Sequence, residues 1–172
     1  PVLPEHNDIL KSIAGNCSIP IATGERMFSR WDFKMLFEQK VVDYIQPDLS
    51  HAGGIWEVRK IAAMAEAYDV GVAPHCPLGP IALASCLQLD FCTPNAAIQE
   101  TSQGIHYNEG FDVLDFIDNK EDFAIKEGFI RLLPLPGLGV KVNEEKVREA
   151  DKTGHDWKNP VWRHVDGRVA EW

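Results

Sequence analysis

The stretch VVDYIQPDLSHAGGIWEVRKIAAMAEAYDVGVAPH, Val41–His75, contains the same pattern twice. Val41 to Gln46 is an apolar, β-rich run that stops at Pro47-Asp48. After Gly53-Gly54, the stretch Ile55 to Tyr68 carries Ile55, Val58, Ile61, Ala62 and Ala65 at helical spacing, so one face is apolar. Val70 to Ala73 is again a short apolar run, and it stops at Pro74-His75. Strand, polar tip, amphipathic helix and strand in this order predict a βαβ unit, whose two strands run parallel.

The unit repeats in both directions. Upstream, Ile19-Pro20-Ile21-Ala22-Thr23 suits a buried strand ending at Gly24-Glu25, and Ser29 can cap a helix bearing Phe33, Leu36 and Phe37. A short helix over Asn7 to Ala14, with Gly15 as its C-cap, precedes it. Downstream, a helix over Ile81 to Leu89 leads to a fourth strand, Ala96 to Gln99, which ends at Glu100. The strand centres Ile21, Ile45, Val72 and Ile98 lie 24, 27 and 26 residues apart, the length of one strand-plus-helix unit with short loops. Four such units make half of a closed eight-unit barrel. The fold class expected is therefore α/β, with residues 1–104 forming a half-barrel of four βα units.

Beyond Gly104 the rhythm fails. Asn108-Glu109-Gly110, Leu133-Pro134-Leu135-Pro136-Gly137 and Gly139 are turn chemistry, and Trp157, Trp162 and Trp172 lie near the end. Residues 105–172 are expected to form a strap packed against other structure, with the tryptophans as apolar anchors.

The 172 residues carry 45% apolar side chains, enough for a core, and a net charge of −9 without a basic stripe, which argues against nucleic acid as a partner. No run of about 18 apolar residues is present, so no membrane segment is expected and the cytoplasm is the default location. Cys17, Cys76, Cys86 and Cys92 show neither a C-x-x-C pair nor zinc-type spacing and read as reduced core thiols. Cys76 stands out because it follows His75.

The four strand ends share a chemistry. In barrels of this kind the reacting groups sit on the C-terminal rim of the strands, and here that rim receives Glu25, Asp48, His75 and Glu100. A carboxylate such as Asp48 beside an imidazole fixes its tautomer and makes His75 a better base. Glu25 offers hard oxygen ligation suited to magnesium. Glu100 could ligate metal or, in its protonated form, donate a hydrogen bond to a developing oxyanion. Such a set fits proton abstraction beside a substrate carboxylate, where a divalent cation would stabilise the enediolate. Each carboxylate alone could equally be a helix cap or a solvated loop residue. His51, His106, His155 and His164 have no such register, and Arg26 and Arg30 are expected to pair with helix carboxylates rather than with a ligand.

The strings I-P-I-A-T-G-E-R-M-F-S-R, I-Q-P-D-L-S-H-A-G-G-I, A-P-H-C-P-L-G-P-I-A and A-I-Q-E resemble strands five to eight of the mandelate racemase/muconate lactonizing enzyme branch of the enolase superfamily. G-I-H-Y-N, L-P-G-L-G-V and N-P-V-W-R-H-V-D-G-R-V-A-E-W are similar to segments of its sugar-acid dehydratases. The resemblance implies the C-terminal half of a (β/α)7β TIM-like barrel, with the tail contributing to a capping region. It also implies a role for each tip: Glu25 as one of three magnesium ligands, His75 as the base that removes the C2 proton, Asp48 as its support, and Glu100 as the stabiliser of the enediolate. The implied reaction is loss of water from D-galactonate in a cytoplasmic homo-oligomer. The family's other two magnesium ligands, on strands three and four, its leaving-group acid and its N-terminal cap have no counterpart in these 172 residues, which leads us to expect an excerpt of a longer, active parent. Another acid-sugar dehydratase, an epimerase on the same scaffold, or a non-catalytic half-barrel module are the competing readings.

Overall fold

A computed structural model describes residues 2–105, 112–153 and 161–170. Its elements follow the order α1 (Asn7–Gly15), β1 (Ala22–Thr23), α2 (Arg30–Gln39), β2 (Tyr44–Ile45), α3 (Gly54–Glu66), β3 (Gly71–Val72), α4 (Pro80–Asp90) and α5 (Glu144–Thr153), with 3-10 turns at Val113–Phe116 and Lys120–Phe123. The strands pair in parallel in the order β1-β2-β3, with Ala22 opposite Tyr44, Thr23 opposite Ile45, Tyr44 opposite Gly71 and Ile45 opposite Val72. The fourth strand is reduced to a parallel bridge between Val72 and Ala96.

The ladders are shorter than the apolar runs, and proline is one reason. Pro47 and Pro74 lack the N–H that would continue the ladder, so pairing ends where the tips begin. Even so, Gln46 N–H donates to the Thr23 carbonyl at 2.9 Å, Ala73 N–H to Ile45 at 2.9 Å and His75 N–H to Pro47 at 3.2 Å, which ties each tip to the one before it.

Alternation along the strands sorts the two faces of the sheet. Ile45 and Val72 are fully buried beneath the helices, while Tyr44 is exposed on the other face and its ring lies against Gly71. A Cβ at residue 71 would come within 2.6 Å of that ring, so the glycine is what lets the tyrosine lie down.

Helices α2, α3 and α4 cover the buried face side by side. Asp32 accepts the Ser29 backbone N–H at 2.8 Å and its hydroxyl at 2.9 Å, closing the start of α2. Phe33, Leu36 and Phe37 then enter the core. From α3 the core receives Val58, Ile61, Ala62 and Ala65, but Ile55 is displaced to the surface because the first turn of the helix projects past the sheet. Pro80 starts α4, which buries Leu83, Ala84, Cys86, Leu87 and Leu89. Helix α1 runs through Gly15 and stops at Asn16, one residue beyond the expected end.

Residues after 111 join the same core through Leu114, Ile117, Phe123 and Leu133. Asn119 pins this segment: its amide nitrogen donates to the Gly139 carbonyl and its oxygen accepts the Lys141 N–H, both at 2.8 Å. Trp162 is exposed, held on a small antiparallel turn closed by Arg163 and Val169, while Trp157 and Trp172 lie outside the described residues. Cys76 and Cys86 are buried as expected, but Cys92 is exposed because it lies just past the end of α4. Among the described residues no helix is long and apolar enough to cross a membrane.

Asp90, the last residue of α4, has a buried Oδ1 with no hydrogen-bond partner, and burial pushes its carboxyl up from 3.8 to about 7. A raised carboxyl favours folding while it is protonated, so its contribution is complete below about pH 4 and is lost as pH rises toward 7. Asp90→Asn should therefore flatten the fall in stability across that window and raise the neutral-pH unfolding midpoint, as read by urea denaturation at several pH values.

Candidate active site

The C-terminal ends of the strands bring Glu25, Asp48, His75 and Glu100 together. Asp48 is 2% exposed, and such a burial of a carboxylate requires compensating donors. It has two: the Ser50 N–H donates to Oδ1 at 2.7 Å, and His75 Nδ1 lies 2.9 Å from Oδ2. With a carboxylate that only accepts, the Nδ1 proton sits between the pair and the lone pair of the neutral ring is on Nε2.

Nε2 is the outward atom of the imidazole. It faces Glu25 Oε2 at 3.3 Å, although β1 and β3 are separated by β2. Neighbouring strands lie about 4.8 Å apart, so the Glu25 and His75 side chains together span the rim across the end of β2. Gly24 permits the approach. Its φ is +139°, and a Cβ there would stand 2.8 Å from the Phe33 ring and 2.9 Å from the Gln46 nitrogen.

On the other side of His75, the Cys76 backbone N–H donates to Glu100 Oε2 at 2.9 Å. The Cys76 side chain turns inward, where a hydrogen bond with Cys86 holds its thiol below the usual range and pushes that of Cys86 up. The thiol is thus part of the core beneath the rim, and only its main chain faces Glu100.

Sequence reasoning missed two contributors. His51 Nε2 lies 3.9 Å from Asp48 Oδ2, an i, i+3 approach that the Asp48-to-His51 spacing could have signalled. Ser50 closes the second oxygen of Asp48 through its backbone, which no side-chain pattern reveals. Arg30 pairs with Glu57 on α3 at 2.6 Å and so belongs to the helix layer, as expected. His106 and His155 lie outside the described residues. A cavity of about 700 Å³ opens at the other ends of the strands, lined by Asp43, Tyr44, Asp69 and Gly71, and receives none of the four tips.

Among the described residues no three His, Cys, Asp or Glu side chains converge on one point, and Asp48 is consumed by Ser50 and His75. Magnesium demands near-octahedral oxygen coordination, so Glu25 by itself does not make a site.

A parallel α/β sheet whose strand ends carry an oriented imidazole among carboxylates defines a family that sequence comparison identifies independently. Residues 1–146 match the enolase C-terminal domain-like family, and the chain belongs to it; its fold is the C-terminal half of a TIM-like barrel. Among its relatives are the D-galactonate dehydratases of Variovorax paradoxus (strain S110) and Ralstonia pickettii (strain 12J), each 60% identical over all 172 residues. The chain spans 45% of the length of each. Among solved structures, an enolase from Agrobacterium radiobacter with sodium and L-malate bound superposes with a TM-score of 0.83 at 32% identity, over 98% of this chain and 44% of that one. A mandelate racemase/muconate lactonizing enzyme-like protein from Roseovarius sp. TM1035 gives 0.77 at 32% identity, over 87% and 36%.

The Asp48–His75 contact has a direct spectroscopic consequence. In Asp48→Asn the amide NH2 can turn toward Nδ1, which then accepts, and the ring proton moves to Nε2; the 15N shifts of His75 should exchange between the two nitrogens. Asp48→Ala should instead lower the unfolding free energy by about 1.5–3 kcal/mol, since the Ser50 N–H and the His75 ring both lose a charged acceptor.

Proposed function

We propose that this chain supplies the base side of a sugar-acid dehydratase site, and that the whole protein converts D-galactonate to 2-dehydro-3-deoxy-D-galactonate. The observation that carries the reading is the 2.9 Å contact of buried Asp48 with His75 Nδ1 at the rim. The 60% identity to D-galactonate dehydratases supports D-galactonate as the substrate. Residues 1–104 act as the half-barrel that holds the site, and residues 105–172 as the strap toward the cap.

His75 Nε2 removes the proton from C2, next to the substrate carboxylate, and the C–H electron pair moves onto that carboxylate to give an enediolate. Asp48 keeps the imidazolium oriented and balances its charge while the proton resides on Nε2. Glu100, fixed through Oε2 by the Cys76 N–H, would in its acid form donate the O–H of its second oxygen to the side of the substrate on which charge develops. Expulsion of the C3 hydroxyl as water gives an enol, which becomes the 2-keto product. Magnesium would supply a Lewis acid there, with Glu25 as this chain's one contribution to its ligands; the remaining ligands and, separately, the acid for the leaving hydroxyl would come from other parts of the longer protein.

L-malate, bound in the Agrobacterium radiobacter structure, is itself a 2-hydroxy acid, so a different sugar acid is the competing reading. Assays of the full-length protein with magnesium across hexonate and aldarate stereoisomers separate the two: preference for another acid, with D-galactonate untouched, would refute the substrate assignment.

His75→Asn in the full-length protein should lower dehydration by at least 10²-fold and abolish solvent deuterium incorporation at C2. Exchange that survives would place the base elsewhere. Glu100→Gln should leave magnesium affinity nearly unchanged, measured by calorimetry, while slowing turnover; loss of the metal would make Glu100 a ligand instead.

A further inference from the structure

Gln99 has no part in the scheme above, yet it sits between the two tips that scheme depends on most. The ladder from β3 to the fourth strand begins with Val72 N–H donating to the Asn95 carbonyl at 2.9 Å and Ala97 N–H donating to Val72 at 2.8 Å. In that register the next donor would be the amide of residue 74. Residue 74 is proline and has none, so the fourth strand is at risk of separating at the point where it should deliver Glu100 beside His75.

Beyond that gap the side chain of Gln99 joins the two chains. Its Nε2 donates to the Pro74 carbonyl at 3.0 Å and to the Glu100 carbonyl at 2.7 Å, using both amide hydrogens to bridge the residue before His75 and the Glu100 main chain. Among the described residues its buried Oε1 has no partner, so the group is held from the nitrogen side. The same two tips are joined once more by the Cys76 N–H to Glu100 Oε2 contact at 2.9 Å. That second contact is between a backbone and a flexible carboxylate, and it depends on the two main chains already being in place.

We infer that Gln99 is a positioning residue that ties the two chains together just beyond the ladder gap at Pro74 and sets the distance between the proton-abstracting imidazole and the Glu100 carboxylate; the inference rests on the roles proposed for His75 and Glu100. Both its hydrogen bonds go to main-chain carbonyls, so it acts through those residues and not on substrate.

The test compares Gln99→Met, which keeps the length and removes both donors, with wild type in the full-length protein. We expect kcat on D-galactonate and C2 deuterium exchange to fall together by about 10²-fold, the scale of a 1 Å misplacement, with KM and the melting midpoint little changed. A crystal structure of the variant should show the Cys76 N–H contact to Glu100 lost. If Gln99→Met does not fold, Gln99→Asn serves the same comparison, because it keeps the amide but withdraws it by one methylene. Gln99→Lys, which restores donors to both carbonyls, should recover most of the rate. Wild-type kcat in the methionine variant, a fall confined to KM, or an unchanged Cys76–Glu100 contact would each overturn the inference. Failure of the underlying reading is distinguishable: it shows as wild-type protein inert toward D-galactonate or His75→Asn that still exchanges C2, and the crystallographic arm still decides whether Gln99 holds the two tips together.

Discussion

Everything at the rim depends on the direction of the parallel ladder. Because β1, β2 and β3 run the same way and pair in register, their C-terminal ends fall on one edge, and the residues that follow each strand meet without any long-range search. An antiparallel arrangement of the same strands would place alternate tips on opposite edges. The helices make the direction possible. Each crossover buries one face of α2, α3 or α4 on Ile45 and Val72, and the apolar area so removed from water outweighs the cost of ordering three loops.

Within that frame, proline and glycine decide where the sheet gives way to chemistry. Pro47 and Pro74 end the pairing of their strands, so Asp48 and His75 emerge at once into loop geometry. Gly24 lets the first tip bend over the Phe33 ring toward the third. Asp48 is the opposite case, a charged group drawn almost wholly out of water. Its two donors, the Ser50 N–H and the His75 ring, are what make that burial tolerable, and they also immobilise the imidazole.

The positions of the four tips were legible because periodicity reports spacing. Strand centres 24, 27 and 26 residues apart place Glu25, Asp48, His75 and Glu100 at equivalent points of successive units, and the amphipathic stripes of α2 and α3 are written as Phe33, Leu36, Phe37 and as Val58, Ile61, Ala62, Ala65. What periodicity cannot report is how far a ladder extends or which way a side chain leans. The short strands follow from imino groups and from an edge at which Ala96 alone is bridged. The reach of Glu25 to His75, across an intervening strand, is a long-range contact that no local pattern encodes. Ile55, Cys92 and Trp162 belong to the periodic or apolar sets yet face solvent, because burial depends on what stands opposite and not on hydropathy alone. Gln99 reads as an ordinary strand residue until the carbonyls of Pro74 and Glu100 are seen on either side of its amide.

The two links between the His75 and Glu100 tips differ in how they would fare under sequence drift. The Cys76 link is a main-chain donor, present whatever side chain occupies the position, with proline the sole exception. Substitutions at residue 76 are therefore filtered by the packing of Cys86 and its neighbours in the core, and the rim is blind to them. The Gln99 link is carried by a side-chain amide of one particular length, so it can be lost in a single codon change. A lineage that altered residue 99 would have to tie the two chains elsewhere, and a residue at position 74 with an N–H to give could do so one step earlier in the ladder, at the Ala97 carbonyl.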